Sequence, residues 1–350
     1  AASTVDTRTG QTLLPAYHVK RFQGIPVAFI GLTLKDTPTI VVPAGVEGLR
    51  FRDEAETVNE LVPQLRRQGI EAIVLLIHEG GVPTGDYNEC PGISGPIVDI
   101  VGKLDRAVDV VISGHTHRAY NCRIDGRLVT SGDRYGTVVT EIDLVLDPGT
   151  GDVISARADN QIVRTASFAK DPRQTALIDA YERLARPLAQ RVVGRLGSAL
   201  PRETNAAGES ALGQVIADAQ LAATRDAGAQ VAFMNPGGIR APLAMPTDGL
   251  LRYENLFSVQ PFYNNLVTMT LTGAQLLQLL EQQWLSQPTP AGRVMQVSRG
   301  FGYTWDASQP PGQRVLPGSL TLNGQAITPE TRVRVTVNSF MASGGDNFSV

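Results

Sequence analysis

The chain has 350 residues, of which 42% are hydrophobic and 19% charged, and a net charge of −3. That length exceeds one ordinary core and predicts two domains, and the composition excludes an intrinsically disordered chain. Mild acidity gives no support to a nucleic acid polymer or an anionic membrane surface as partner, and no apolar stretch reaches the roughly 20 residues that span a bilayer.

The opening "AASTVDTRTG" lacks the basic start and apolar block of a signal peptide. Its first residue is alanine, not methionine, so a cut N-terminus is expected. "IPVAFIGLTL" (Ile25–Leu34) is a bounded apolar run and predicts a buried strand. "DEAETVNELVPQLRRQG" (Asp53–Gly69) opens on acids and closes on basic residues and a glycine, the marks of a helix, with Pro63 as a candidate kink. "IEAIVLLIHEGG" predicts a second buried strand that stops at His78. The pattern repeats with "GPIVDIVGKLD" as a short helix and "AVDVVISGHTH" as the next strand. Apolar strands separated by helices predict a sheet covered on both faces. "GRLVTSG" and "GTVVTEIDLVLD" then predict exposed or edge strands.

A turn cluster at Asp147–Val153 closes this half. "DPRQTALIDAYERLARPLAQRVVGRLG" predicts a mostly polar connector helix interrupted at Pro187. The second half brings the helix "SALGQVIADAQLAAT", the strand "AQVAFMN", the loop "NPGGIR", the strand "NLVTMTLTG", the helix "AQLLQLLEQQWL" and a last strand "TRVRVTVNSF".

Three of the chain's four histidines fall where buried strands end: His78 after one, His115 and His117 after the next. A single histidine beside an apolar strand is most often a hydrogen-bonded structural residue. Two successive strands ending in histidine weaken that explanation, because open α/β sheets bind ligands beyond the carboxyl ends of their strands. Residues two apart in an extended segment share a face, so His115 and His117 are expected to converge with His78. Glycines at 80, 81 and 114 allow an unusual turn or a close approach. Imidazoles grouped in this way suit zinc, manganese or iron, although the ligand set is incomplete.

"SGHTH" after a buried strand, with "LLIHEGG" upstream, resembles the second half of the metallophosphoesterase domain of the bacterial 5′-nucleotidase family. The family's D-x-H, G-D-x-x-D and G-N-H-E segments do not occur here, and the resemblance begins just after the place where they belong. It implies two divalent metal ions (Zn, Mn or similar), His78 and His115 on one and His117 on the other. The remaining ligands and the catalytic residues are expected upstream of this chain. The resemblance further implies a periplasmic or secreted setting and hydrolysis of nucleotide phosphate monoesters to nucleoside and phosphate. This chain would be a fragment, expected to be inactive alone.

"MNPGGIRAPL" (Met234–Leu243) seen alone is a tight turn with a surface arginine. "VQPFYNNLV" and "VNSFMASGGDNF" add aromatics beside turns, together with asparagines and an acid. Aromatic faces stack on a base, a carboxylate accepts from ribose hydroxyls, and arginine forks to phosphate. In order, these segments resemble the C-terminal substrate domain of the same family. The resemblance implies that Phe262 and Phe340 sandwich the base and that Asp346 takes the ribose. Asn235, Gly237, Gly238 and Arg240 line the site, with Arg202 as a further substrate arginine. Pro236 stands where the family often has glycine, and proline removes a backbone donor there.

The expected fold is thus α/β: a partial four-layer metallophosphoesterase sandwich over 1–165, a connector helix over 166–196, and an incomplete C-terminal α/β nucleotide-binding domain over 197–350. The connector is expected to serve as a hinge that carries substrate to the metals. The expected partner is a nucleotide, with no nucleic acid polymer and no membrane span. Other readings are a non-catalytic nucleoside-binding module, a cyclic phosphodiesterase, a nucleotide-sugar hydrolase and a sulfur-ester hydrolase, the last disfavoured by the aromatic pair. Cys90 and Cys122 form either one disulfide or two buried thiols. Each follows a histidine strand by a short loop, so a bridge would brace those loops.

Overall fold

The computed structural model describes residues 1–285 and 293–349. The chain divides into one unit of Ala1–Pro38 and Val46–Ala169, and a second of Thr39–Gly45 and Lys170–Val350.

In the first unit β1 (Thr4–Asp6) pairs antiparallel with β4 (Leu49–Phe51). The main sheet has β2 (Tyr17–Phe22), β3 (Ile25–Leu32), β5 (Ala72–Ile77), β6 (Val110–Ser113), β7 (Ala119–Ile124) and β8 (Arg127–Gly132), in the order 2-3-5-6-8-7. β3, β5, β6 and β8 run parallel, and the antiparallel strands β2 and β7 form the edges. All four parallel strands therefore present their carboxyl ends at one sheet edge.

Helices α1 (Glu54–Arg67) and α2 (Pro96–Lys103) cover one face, where Val58, Val62, Leu65, Ile97 and Val101 pack on Ile30, Ile73, Leu75 and Val111. Each of these side chains stabilises the unit by about 1.5–3 kcal/mol through burial. The Asp53 carboxylate caps α1 by accepting from the Glu56 amide, and the helix runs through Pro63 without a break. The other face is covered not by helices but by a hairpin of β9 (Val138–Leu146) and β10 (Val153–Ile162), whose Ile142, Leu144 and Ala156 meet Val27, Val74 and Val110. This cover is partial: Leu76 of the apolar β5 run is 40% exposed. Arg127–Gly132, expected as an exposed or edge strand, is neither. β8 lies inside the sheet between β6 and β7, with Leu128, Val129, Thr130 and Ser131 buried. Its alternation suggests a strand with one solvated face, yet Thr130 and Ser131 sit in the core.

The second unit opens with α3 (Pro172–Ala189), which buries none of its residues and is capped by the Asp171 carboxylate. The connector helix expected over 166–196 ends at Ala189. Val192–Arg195 is instead a strand, β11, paired with β13 (Leu250–Arg252), since two adjacent β-branched residues favour pairing over a further turn of helix. α4 (Ala211–Ala223) packs on β12 (Val231–Met234). After β13 come α5 (Tyr253–Val259), β14 (Leu266–Thr272) and α6 (Gly273–Glu281), the last begun by a Thr272/Gln275 capping box. β15 (Gln296–Val297) and β19 (Arg332–Asn338) complete a sheet in the order 14-19-12-15. β16 (Phe301–Gly302), β17 (Thr321–Leu322) and β18 (Gln325–Ala326) form a small separate sheet. The core of this unit holds Trp284, Phe233, Leu276 and Val335, all fully buried. β19 does not reach Phe340 as expected: Asn338 caps α7 (Ser339–Ala342), and Phe340 lies in that short helix.

Candidate functional site

At the carboxyl edge of the first sheet, His78 directly follows β5 and His115 follows β6 by two residues. Neighbouring parallel strands bring them together, and His115 Nδ1 lies 3.3 Å from His78 Nε2. His117 makes an edge contact with the ring of Tyr135, beyond β8, at 5.7 Å between centroids. The expected route to convergence is corrected here. His115 and His117 are not extended; both are left-handed, with φ of 65° and 54°. Such backbone costs a non-glycine residue about 1–2 kcal/mol and marks a loop held by its surroundings. Gly114 itself has open space around it, so the freedom assigned to that glycine is taken by the histidines.

Gly80 is required for a different reason. A Cβ there would overlap the Gly114 carbonyl oxygen, so the two strand-end loops touch backbone to backbone. Tyr120, fully buried, ties them further: its hydroxyl accepts from the Gly81 amide and pairs with Ser113 Oγ. The Thr116 hydroxyl donates to the Gly81 carbonyl. Cys90 and Cys122 are bridged, with Cα atoms 5.1 Å apart, which fastens the loop after β5 to β7. Nothing in the spacing of the sequence marked Tyr120.

The two-imidazole pair fits a metal ion as two of its ligands. Nitrogens at about 2.0–2.1 Å from a tetrahedral zinc stand roughly 3.3 Å apart, the spacing of His78 and His115. No group of three or more His, Cys, Asp or Glu side chains is placed to hold an ion among the described residues.

The second constellation forms at one end of the β12/β19/β14 sheet. β12 delivers Asn235, which is 3% exposed, and its Nδ2 donates to Asp346 Oδ2 at 2.7 Å. Asn338, at the end of β19, donates to Asn235 Oδ1 at 2.9 Å and so fixes which way that amide points. Pro236 opens a 3-10 turn, a position whose N–H would have no partner in the turn. Gly237 and Gly238 follow, where a side chain would be crowded. A Cβ at 237 would lie 3.3 Å from Asp346 Oδ2, and one at 238 would overlap Met234 Cε. Asp346 is itself left-handed, with φ 56°. Burial pushes its carboxyl up, while Asn235, Arg293 and Arg240 act in the opposite sense. Arg240 is exposed and reaches back to the Gly237 carbonyl.

Leu266 pairs with Asn338 across β14 and β19, and Ser339 bonds Asn265 in both directions. Phe262 and Phe340 therefore flank the same end of one ladder. Phe262 is 47% exposed. Phe340 is half-buried, with its ring against Gly345, where a Cβ would lie 2.5 Å away. Among the described residues no ring contact joins the two phenylalanines. Arg202 is exposed and lines a cleft of about 320 Å³ with Pro236, Ile239 and Gln296. Buried Gln296 pins this side by accepting from the Ser210 amide and donating to the Gly208 carbonyl. Asn338, Gln296 and Arg293 were missed in the sequence. Only Asn338, at the end of a strand facing another asparagine turn, carried a signal.

Residues 189–350 match the model of the 5′-nucleotidase C-terminal domain. The chain is 30% identical over 335 residues to "Endonuclease YhcR" of Bacillus subtilis, covering 96% of this chain and 26% of that protein. It is 31% identical over 375 residues to "Cell wall protein Lmo0130" of Listeria monocytogenes, covering 100% of this chain and 47% of that protein. The chain thus spans between a quarter and a half of the length of these relatives. The crystal structure of a 5′-nucleotidase precursor from Thermus thermophilus superposes with a TM-score of 0.81 at 28% identity, over 99% of this chain and 69% of that one. Fold and comparisons together define a mixed α/β protein with the fold of the 5′-nucleotidases. Residues 189–350 carry the 5′-nucleotidase C-terminal domain, and the chain as a whole is similar to the 5′-nucleotidases.

Proposed function

We propose that this chain carries the nucleoside-recognition site and part of the metal site of a metal-dependent phosphomonoesterase acting on nucleotides. The observation that carries this reading is the Asn338–Asn235–Asp346 relay beside Phe262 and Phe340. Phe262 and Phe340 take the two faces of the base, and Asp346 accepts from the ribose hydroxyls. Arg240 and Arg202 meet the phosphate. His78 and His115 would hold one divalent ion and His117 another, and such ions supply Lewis-acid neutralisation of phosphoryl charge. Within this reading 1–165 is the second half of a metallophosphoesterase domain, 166–196 the connector and 197–350 the substrate domain. The disulfide supports an oxidising compartment, periplasmic or secreted. No helix among the described residues is long and apolar enough to cross a membrane.

One observation favours binding without turnover by this chain: the described residues bring two imidazoles together, half of a tetrahedral set. One relative is named as an endonuclease, and the net charge of −3 gives no support to a nucleic acid polymer as partner here. The deciding experiment titrates the chain with adenosine, AMP, ribose 5-phosphate and a single-stranded oligonucleotide by calorimetry. Nucleoside and nucleotide should bind, and ribose 5-phosphate should bind far more weakly. Binding of the oligonucleotide alone would overturn the assignment.

A further inference from the structure

The carboxylate assigned above to the ribose is held by a residue that the sequence did not single out. Arg293 Nη1 donates to the backbone carbonyl of Asp346 at 3.2 Å and stands 3.8 Å from its Oδ1. The same Nη1 donates to the Thr39 carbonyl at 3.1 Å. Both Arg293 and Asp346 have side chains only 13% exposed, so the pair is shielded from solvent and from salt. Thr39 begins the segment Thr39–Gly45, which belongs to the second unit although first-unit residues flank it in sequence. Pro43 of this segment lies against Gly344, where a Cβ would come within 3.2 Å of its ring.

Two demands meet at Asp346. Its backbone is left-handed, as is that of Asn347, and a left-handed aspartate persists only where its surroundings hold it. Its carboxylate has Oδ2 occupied by Asn235, so its orientation about the side-chain torsions is fixed from one side only. Arg293 answers both, with a hydrogen bond to the carbonyl and a charge beside Oδ1. A ribose diol needs two acceptor positions at a set spacing, and a carboxylate that swings offers them in few of its states. We propose that Arg293 is a positioning residue for ribose recognition: it locks Asp346 and the Thr39–Gly45 strap in the arrangement that distinguishes a ribose diol from a sugar lacking those hydroxyls. The inference rests on the reading of Asp346 as the ribose carboxylate.

The test compares adenosine with 2′,3′-dideoxyadenosine as calorimetric ligands for the full chain and its Arg293→Met, Arg293→Lys and Asp346→Asn variants. Losing a charged hydrogen-bonding partner should weaken adenosine binding by Arg293→Met on the order of tenfold. Dideoxyadenosine binding should change by less than about threefold, because that ligand makes no use of the carboxylate. Arg293→Lys should recover part of the discrimination. Adenosine affinity should fall as the pH drops and Asp346 protonates, and this fall should begin at a higher pH in Arg293→Met. Equal loss for both ligands, or unchanged discrimination in Arg293→Met while Asp346→Asn abolishes it, overturns the role of Arg293 alone. Unchanged discrimination in Asp346→Asn overturns the ribose assignment and this proposal with it. Should Arg293→Met fail to fold, the Arg293→Lys comparison decides: a selective loss supports the role, and an equal loss removes it.

Discussion

His78 Nε2 and His115 Nδ1 lie 3.3 Å apart although 37 residues separate them. Parallel pairing of β5 with β6 sets that distance, and a bound tetrahedral ion would keep it. Calorimetry with zinc should therefore give one ion per chain through this pair. Replacing either histidine by alanine should weaken it at least about tenfold, since half of the protein ligands are lost. His117→Ala should leave this ion in place. If His117→Ala weakens it equally, all three imidazoles share one ion and the division between two ions fails. Phosphatase turnover by the chain with added zinc or manganese should stay near background; robust turnover would refute the reading of an incomplete metal site.

The Cys90–Cys122 bridge closes a loop of 32 residues in sequence separation. Cross-links of that size stabilise by about 2–4 kcal/mol, chiefly through the unfolded state in the chain-entropy model. A Cys90→Ala/Cys122→Ala variant should lose that amount in urea unfolding. It should also show faster amide exchange in the loop after β5, near His78. Unaltered unfolding in the presence of a reductant would show that packing alone holds the loop.

Phe262 and Phe340 should separate recognition from stability. Phe262 is 47% exposed, so Phe262→Ala should cost little folding stability while weakening nucleoside binding by about 1–3 kcal/mol. Phe340 packs partly against the core and against Gly345. Phe340→Ala should show a similar binding loss together with a measurable drop in denaturation midpoint. A Phe340 variant that loses stability while its folded molecules bind normally would remove that ring from the base site.

Asp109 gives the fold a pH dependence of definite sign. Its Oδ2 accepts from the Ile73 amide, and burial pushes its carboxyl up to about 7, with Asp152 adding to the effect and Arg127 opposing it. In the unfolded chain the same group titrates near about 3.9. Between those values the native state binds more protons than the unfolded state, so this group's contribution to stability falls as pH rises from about 4 to about 7. Asp109→Asn keeps an acceptor oxygen and removes the charge. Its urea midpoint should fall less steeply than that of the wild type across this window and exceed it at about pH 8. Parallel profiles for the two proteins would show that Asp109 does not titrate there.

Much of the first unit was legible because its signals are local. Continuous apolar runs, an acidic helix start and basic helix end, and turn clusters place α1, α2, β3, β5 and β6 without knowledge of any partner. Histidines at the ends of β5 and β6 follow directly from those boundaries. Failures came where a neighbour decides the outcome. β8 reads as an exposed or edge strand because its polar and apolar residues alternate, yet β6 and β7 pair on both sides of it. Val192–Arg195 reads as helix by continuation, yet pairing with β13 makes it a strand.

In the second unit the glycine loop, the aromatics and the acid are visible as short segments, and only the resemblance gave them a nucleotide to bind. Residue order could not reveal that Asn338 orients Asn235, that Tyr120 ties the two histidine loops, or that Arg293 holds Asp346. Those contacts, and that of Asn235 with Asp346, join residues from 39 to 111 positions apart, at 2.7–3.2 Å. Folding alone settles them, because a hydrogen bond depends on a separation of a few tenths of an ångström and on angle, while a sequence records only order along the chain.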